Sequence, residues 1–289
     1  MDAALIANVA VGGVLTGLVY ALMALGLSVI FGVIRVVNFA HGEMMALAMF
    51  AAFFLFQGTG LDPLLAIPLV AGGLFALGYV LQRRLIDPFV TRPEHEQFIL
   101  LLAIAVLLTN AMLIAFGPEA RGIMTDYVFD SYQIGVLIID KTKAIAATGA
   151  LIIALALLAF FRFTRTGTAI RACADNLIGA EVVGLDVKRL YALTFAIGVA
   201  CVGAAGCLLA LVVEVTPQLG PELTLLAFII VIVGGLGSMP GALLGGALIG
   251  LSEAAAGLFI SPSMKSMFSF ALLILVLVLR PQGLMGRRT

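Results

Sequence analysis

The sequence predicts an all-α fold, a polytopic transmembrane helical bundle with about 8–9 spans that includes discontinuous or re-entrant segments. The first reason is composition, since 63% of the 289 residues are hydrophobic and only 11% are charged, against about 25% in soluble domains. The second is that long uncharged runs recur along the whole chain. The longest, residues 223–264, contains one ionisable side chain, Glu253. As a straight helix this run would measure about 63 Å against a hydrocarbon core of about 30 Å, so it must fold back on itself.

The uncharged runs are candidate spans because about 18 apolar residues cross a bilayer. In chain order they are residues 3–34, 44–61, 63–82, 97–118, 144–161, 190–213, 223–264 and 266–279. The first is longer than one crossing requires, so we expect its end to curl or to leave the membrane. The seventh provides two segments if it turns within the glycine-rich sequence 234–241. We expect residues 1–289 to form a single transmembrane domain.

Basic residues predict the side of the membrane that each connection faces, because Lys and Arg resist translocation. With residues 162–189 placed in the cytoplasm, helix alternation also places there the loop 83–92, Arg35 and the tail 280–289. That side then holds 12 of the 16 basic residues. We therefore expect a multi-pass protein of the bacterial plasma (inner) membrane with a cytoplasmic C-terminus.

Composition and motifs argue against several classes of function. Sixteen basic and sixteen acidic residues cancel, so net charge does not indicate nucleic acid as a partner. The three cysteines lack metal-type spacing. The chain has neither a Gly-x-x-x-x-Gly-Lys-Ser/Thr phosphate loop nor any Gly-Lys pair, so it cannot hold nucleotide as ATPases do. The apolar runs also lack the array of ionisable groups typical of proton relays, which disfavours a proton-coupled carrier and leaves a sodium-coupled one open.

Two connections are long enough to have structure of their own. Residues 119–143, expected on the extracytoplasmic side, form either a docking loop for a partner or an ordinary solvated loop. In residues 166–188, apolar side chains recur near helical spacing with charges between them, which predicts a short amphipathic helix. Gly167 is expected to break the chain before this helix and Gly184 after it. Such a helix either inserts into a cytosolic partner or rests on the bilayer surface.

Five motifs spread over almost the whole chain carry a family resemblance. They are GLVYALMALGL at 17–27, FGVI at 31–34, VNFAHGEM at 37–44, GGLGSMPGALLGGALIG at 234–250 and RPQGLMG at 280–286. They resemble the permease subunits of branched-chain amino acid importers of the ATP-binding-cassette (ABC) class, the LivH/LivM family. The length of the chain suits the shorter, LivH-type subunit.

The resemblance implies a set of partners. A second, LivM-like permease would complete a heterodimeric pathway, and two cytosolic LivG/LivF-like ATPases would bind ATP and Mg beneath it. A periplasmic binding protein would deliver substrate from the other side, and lipid would surround the subunit. The chain itself would be a non-catalytic transport subunit that binds no cofactor and no metal.

The segment 166–188 is similar to the coupling region of such permeases, through which the ATPases drive transport. Its Ala180-x-x-x-Gly184 core matches their short Ala/Gly signature, although the Ile-x-Leu-Pro tail of other importer families is missing. Candidate ATPase-coupling residues are Arg171, Asp175, Ala180, Glu181 and Gly184.

Polar side chains within apolar surroundings are candidates for the substrate pathway, because each costs several kcal/mol unless it is paired or faces a cavity. Asn38 and His41 are spaced i, i+3 and would share one helix face, while Glu43 would point away from Asn38. If Gly42 breaks the helix, free backbone groups are available for the carboxylate or ammonium of an amino acid. The alternative is that residues 35–43 form a structural turn at the cytoplasmic interface.

Three further candidates lie in other runs. Glu253 either meets a cation from the second permease, lines the pathway, or lies near the outer surface within reach of Lys265. Thr109 and Asn110 either face a pore or form hydrogen bonds between helices.

The function expected from these observations is ATP-driven import of branched-chain or related amino acids by rocking of two permease halves. Two alternatives remain open. One is a urea or short-amide permease of the same family, and the other is an ion-driven carrier or channel that acts alone.

Overall fold

The computed structural model describes residues 3–90, 92–261 and 264–286, and helices dominate them. The helices are α1 Ala3–Ile34, α2 His41–Thr59, α3 Pro63–Leu81, α4 Glu94–Phe116, α5 Lys141–Phe163, α6 Arg165–Asp175, α7 Leu177–Val182, α8 Val187–Leu209, α9 Leu219–Gly234, α10 Met239–Phe259 and α11 Lys265–Leu279. A π-helical turn at Gln82–Ile86 and a 3-10 turn at Asp87–Phe89 follow α3. Strands β1 Ser131–Ile134 and β2 Leu137–Asp140 form one antiparallel hairpin.

The all-α transmembrane prediction is confirmed. In the described part of the chain, seven helices are long and apolar enough to cross a membrane, and α9 and α11 are shorter apolar helices. The predicted fold-back of the longest run is also found, because α9 ends at Gly234 and α10 begins at Met239. Gly235 and Gly237 in this turn have φ angles of 106° and 76°, a backbone conformation that favours glycine.

The bundle has two distinct ends, and contacts between helices define them. We call them the hairpin end, where β1 and β2 lie, and the α6–α7 end. Helix α1 runs from the first to the second, because Asn8 bonds to the hairpin and Gly32 lies against Gly237 in the turn before α10. Helix α10 runs back beside it, since Gly13 packs against Ala254.

Helix α2 begins halfway along α1 and not at either end of the bundle. His41 Nε2 lies 3.0 Å from the carbonyl oxygen of Met23, which is eleven residues before the end of α1 and therefore about 16 Å from it. The six residues between α1 and α2 have no regular helix. They return from the α6–α7 end into the core, where Val36 and Ala40 are 1% and 0% exposed.

The structure differs from three expectations for this region. Asn38 and His41 do not share a helix face, because Asn38 lies in the non-helical connection and His41 is the first residue of α2. Gly42 does not break the helix but lies in its first turn. The chain breaks earlier, directly after Arg35, whose φ is 59°. Residues 35–43 also do not form one structural turn, since His41 and Glu43 belong to α2 and are buried.

Helix α9 begins at the same depth as α2. A Cβ on Gly220 would lie 2.9 Å from Cγ of Glu43, and Gly42 lies directly against the carbonyl of Gly220 and against Thr224. The N-terminal turns of α2 and α9 therefore cross in the centre of the bundle, and only glycine at both positions permits this distance. The prediction of discontinuous segments is confirmed by these two internal helix starts.

The connection between α4 and α5 closes the hairpin end. The Tyr127 hydroxyl donates a 2.9 Å hydrogen bond to Asp62 at the start of α3, and burial together with the Asp62 carboxylate raises the pKa of Tyr127 to about 12. Asn8 of α1 accepts a hydrogen bond from the backbone of Ile138 and donates one to Val136. These contacts attach the loop to α3 and to α1, and Ile138 and Val136 remain exposed.

Glycines set the distance between α1 and α10. A Cβ on Gly17 would lie 2.5 Å from the carbonyl oxygen of Gly246, and one on Gly246 would lie 2.5 Å from Cβ of Ala21. Lipid provides no hydrophobic drive for helix association, so close backbone approach through small residues stabilises such pairs.

We expect Gly17→Val to destabilise the protein by about 1–3 kcal/mol, because the new side chain must push apart two packed backbones. The measurement is the thermal unfolding midpoint in detergent. Gly72→Val is the matched control, since a Cβ on Gly72 of α3 meets nothing within 4 Å. Equal midpoints for the two variants would contradict the packing argument.

Candidate functional site

The crossing of α2 and α9 lies at the base of a groove that α4 completes. The groove has a volume of about 400 Å³. It is lined by Phe39, Glu43, Leu102, Ala105, Val106, Thr109, Asn110, Pro221, Thr224 and Leu225. Three candidates from distant parts of the sequence, Glu43, Thr109 and Asn110, thus meet in one cavity. We call it the central groove.

Glu43 is held by the start of the opposite helix. Its side chain is 3% exposed, and the Thr224 hydroxyl lies 3.1 Å from its Oε2. The backbone N–H of Gly42 donates a 2.8 Å hydrogen bond to the same hydroxyl. Glu43 lies in the first turn of α2 and touches the first turn of α9. The positive ends of two helix dipoles therefore stabilise a carboxylate here.

Thr224 is a site residue that the sequence analysis missed. It lies in an uncharged run with no local feature that distinguishes it from other threonines. Its importance comes from its contact with Gly42 and Glu43, about 180 residues earlier. A local sequence pattern carries no signal for such a contact.

Asn38 and His41 do not line the central groove, and both are 0% exposed. Asn38 Oδ1 accepts a 3.1 Å hydrogen bond from the backbone N–H of Ala40. His41 Nε2 is bonded to the carbonyl of Met23, and its Nδ1 has no partner in the described residues. These side chains stabilise the non-helical connection between α1 and α2, and so they position Glu43 without facing the cavity.

The remaining wall of the central groove is mostly apolar. Phe39 is fixed by ring contacts to Phe98 and Phe228, with centroids 4.5 Å and 5.2 Å away. Asn110 uses its Nδ2 to donate a 2.8 Å hydrogen bond to the Val106 carbonyl, which leaves its Oδ1 free to accept one. A buried carboxylate beside aliphatic walls can bind a ligand that has a cationic group and an apolar body.

Glu253 lies in a different cavity, about 500 Å³ in volume, at the hairpin end. Helices α1, α5, α10 and α11 form it, and Lys143 and Lys265 line it together with Glu253. The Ser269 hydroxyl lies 3.2 Å from Glu253 Oε1. Lys265 therefore lies on the wall of the same cavity as Glu253. We call this cavity the hairpin-end cleft.

The segment 166–188 forms two helices where we expected one. Helices α6 and α7 are separated at Asn176, whose side chain accepts a hydrogen bond from Gly179 N–H and caps α7. Gly167 does not precede the helix but is buried inside α6, against Phe160 and Phe161 of α5. Gly184 ends the segment as expected, with a φ of 83°.

The candidate coupling residues divide between the two faces of this pair. Arg171, Asp175, Glu181 and Gly184 are exposed, whereas Ala180 is 3% exposed and faces the bundle. Apolar side chains are also exposed at the end of the pair. They are Leu177, Ile178, Val182 and Val183. An exposed surface that mixes charged and apolar side chains is suited to contact with another protein.

The α6–α7 pair lies against the break after α1. A charged cavity of about 520 Å³ lies beside this contact, and Arg35, Cys173 and Glu181 are among the residues that line it. Burial raises the pKa of the Cys173 thiol, so this cysteine is protonated and packs as a small apolar side chain. From Arg35 the chain leads in eight residues to Glu43.

A family model and several known proteins match this chain over almost its whole length. Residues 9–277 match the family model described as branched-chain amino acid transport system / permease component. The chain is 32% identical over 290 residues to the high-affinity branched-chain amino acid transport system permease protein BraD of Pseudomonas aeruginosa, covering 96% of this chain and 94% of that protein.

Two further relatives extend the range of organisms. LivH of Escherichia coli K12, named in the same way, is 32% identical and covers 95% of this chain and 94% of its own length. The probable LivH of Methanocaldococcus jannaschii is 25% identical, with 95% and 91% covered. No solved structure matches. The chain therefore belongs to the family of branched-chain amino acid transport permeases, the non-catalytic membrane components of ABC-type importers.

Proposed function

We propose that this chain forms one half of the membrane pathway of an ATP-driven importer for branched-chain or related amino acids. The observation that carries the proposal is that this chain is similar, over nearly its whole length, to permeases named for this transport. In the proposed complex a LivM-like permease provides the other half, and two LivG/LivF-like ATPases bind ATP and Mg. A periplasmic binding protein delivers the substrate.

The central groove supports amino acids as the substrate class. The Glu43 carboxylate is suited to the α-ammonium group, because an ion pair in a cavity shielded from water is strong when both charges are hydrogen-bonded. The aliphatic walls are suited to a branched side chain, since burial of each CH₂ group contributes about 0.8 kcal/mol. Leu102 and Leu225 are 43% and 55% exposed, so the groove is open on one side. In our proposal the second permease covers that side.

The distribution of basic residues supports the orientation. The four basic residues Arg121, Lys141, Lys143 and Lys265 belong to the hairpin end, and the connections at the α6–α7 end carry most of the others. By the positive-inside rule the α6–α7 end faces the cytoplasm. The C-terminal segment after α11 is at that end, where Leu284 and Met285 bond to Val233 and Gly234. We therefore place the C-terminus in the cytoplasm and the protein in the inner membrane.

The α6–α7 pair is our candidate for the surface that receives the motion of the ATPases. Its exposed residues Ile178 and Val182 are suited to a cleft in the partner, and Arg171 and Glu181 add charge complementarity. Movement of α6 would act on the break after Arg35 and, through residues 36–40, on the start of α2. The binding residue Glu43 would move with it.

The test of the function is uptake by the reconstituted importer. We expect L-leucine uptake to stop when the phosphate-loop lysine of both ATPases is replaced by alanine, because that lysine holds the nucleotide phosphates. Binding of leucine by the delivery protein is the control and is expected to persist. Uptake that continues with the mutated ATPases would show that the permease acts alone.

Replacement of Glu43 by Gln is expected to reduce leucine uptake at least about tenfold, because loss of a charge-assisted hydrogen bond costs about 1.5–3 kcal/mol. Glu222→Gln is the matched control, since this glutamate occupies the first turn of α9 but is exposed. The measurement is initial uptake rate per assembled complex. Equal rates for both variants would remove Glu43 from the substrate site.

Ile178→Asp and Arg171→Glu are expected to prevent co-purification of the ATPases, most strongly for Ile178→Asp, because a carboxylate would be buried in an apolar contact. Arg84→Glu is the control, as an exposed arginine at the same end of the bundle but outside the pair. Normal recovery of ATPases with both α6–α7 variants would be evidence against this coupling surface.

A further inference from the structure

We propose that the hairpin-end cleft is a second binding site, which takes the head of a free α-amino acid. Glu253 receives the ammonium group and the two lysines, Lys143 and Lys265, receive the carboxylate. The choice of amino acid as ligand rests on the proposed function, whereas the charge pattern of the site does not. The cleft is separate from the central groove, since no residue lines both.

Glu253 forms the deep, negative part of the cleft. It lies in α10, six residues before the end of that helix, in a segment with no other charge. Its carboxylate receives a 3.2 Å hydrogen bond from the Ser269 hydroxyl, and the Tyr20 hydroxyl, a second donor, lies nearby. Both donors are neutral, so they orient the carboxylate without neutralising it. An intramembrane carboxylate in this state favours a cationic partner.

The two lysines form the positive rim of the cleft. Lys143 lies in the first turn of α5 and Lys265 is the first residue of α11. The Lys265 Cε atom lies 3.7 Å from the position that a Cβ would take on Gly257, one turn beyond Glu253 towards the hairpin end. Ion pairs shorter than 4.0 Å in the described residues involve other side chains, Arg92–Glu96 and Lys141–Asp130. The cleft therefore keeps its opposite charges apart.

A negative charge inside the cleft and positive charges at its rim match a zwitterion that enters with its ammonium group first. The ammonium would pair with Glu253 inside and the carboxylate with the lysines at the rim. A simple anion would be repelled by Glu253, and a simple cation by the lysines. Electrostatic complementarity thus selects a ligand with both charges close together.

The cleft also has room for a side chain. A Cβ on Gly12 meets no atom within 4 Å, so the wall formed by α1 leaves open space at this point. Val9, Ala254 and Leu258 provide apolar surface next to it. An aliphatic side chain of moderate size fits such a wall.

A phosphatidylethanolamine headgroup presents the same chemistry, a primary ammonium beside an anionic group. Its ammonium, however, is the terminal group of the lipid and its phosphate is nearer to the membrane. The cleft has the reverse order, with Glu253 deeper than Lys143 and Lys265. This order favours a free amino acid over the lipid.

The experiment measures equilibrium binding of three probes to the assembled complex in phosphatidylcholine nanodiscs. All complexes carry Glu43→Gln, so that the central groove contributes little. The probes are L-leucine, L-leucinamide, which lacks the carboxylate, and 4-methylpentanoate, which lacks the ammonium. We expect Glu253→Gln to weaken the binding of leucine and of leucinamide about tenfold and not to weaken the binding of 4-methylpentanoate. We expect the double variant Lys143→Gln, Lys265→Gln to weaken the binding of leucine and of 4-methylpentanoate and not to weaken the binding of leucinamide.

Two further variants test the space in the cleft without changing charge. Gly12→Leu is expected to abolish leucine binding by filling it, and Gly72→Leu on α3 is the control that leaves binding unchanged. Identical effects of a charge variant, Glu253→Gln or the lysine pair, on all three probes would overturn the proposal, and so would the absence of any effect of the charge variants and of Gly12→Leu. Phosphatidylethanolamine that displaces leucine from the nanodiscs would assign the cleft to lipid. If the charge variants leave binding of the three probes unchanged while uptake by the complex with Glu43 in place still requires ATP, this inference alone is refuted. Uptake that does not require the ATPases would refute the proposed function.

Discussion

The fold depends on pairing the first backbone N–H groups of two helices that begin inside the bundle. The first backbone N–H groups of a helix lack partners within it, and in hydrocarbon each unpaired group costs several kcal/mol. Here α2 and α9 begin against each other, and Thr224 links the Gly42 N–H to the Glu43 carboxylate. Glycine at 42 and 220 permits the contact. The requirement to pair these groups places a carboxylate in the centre of the bundle, next to a groove.

The same arrangement connects the centre to the α6–α7 end. Residues 35–40 form a short, non-helical path from the cavity beside α6 to the first turn of α2. Arg35, with a φ of 59°, stores backbone strain of about 1–3 kcal/mol at the start of that path. Residues 35–40 connect the end of α1, beside α6, to the helix that carries Glu43, whereas the hairpin-end cleft lies along α1 and α10. The two cavities thus belong to different parts of the bundle.

Local sequence patterns predicted the elements that depend on hydrophobicity and chain stiffness. The first run, residues 3–34, coincides with α1, and the turn within 234–241 separates α9 from α10. The helix assumed through Asn38 and His41 was wrong, because the cost of leaving the helix at Arg35 is offset by burial of the connection against distant helices. The division of α6 from α7 was missed because the cap that Asn176 forms requires only one favourable side chain, and apolar spacing continues across it.

The sequence by itself determined the class of the protein. Uncharged length specifies spans and basic residues bias their orientation, because both reflect transfer between water and lipid and act on each segment separately. The tertiary structure alone decided which polar side chains share a cavity. Glu43, Thr109 and Thr224 meet in the central groove, while Asn38 and His41 are used inside the core and Glu253 faces two lysines elsewhere. Such groupings depend on hydrogen bonds and glycine contacts between helices far apart in the chain, and no local pattern records them.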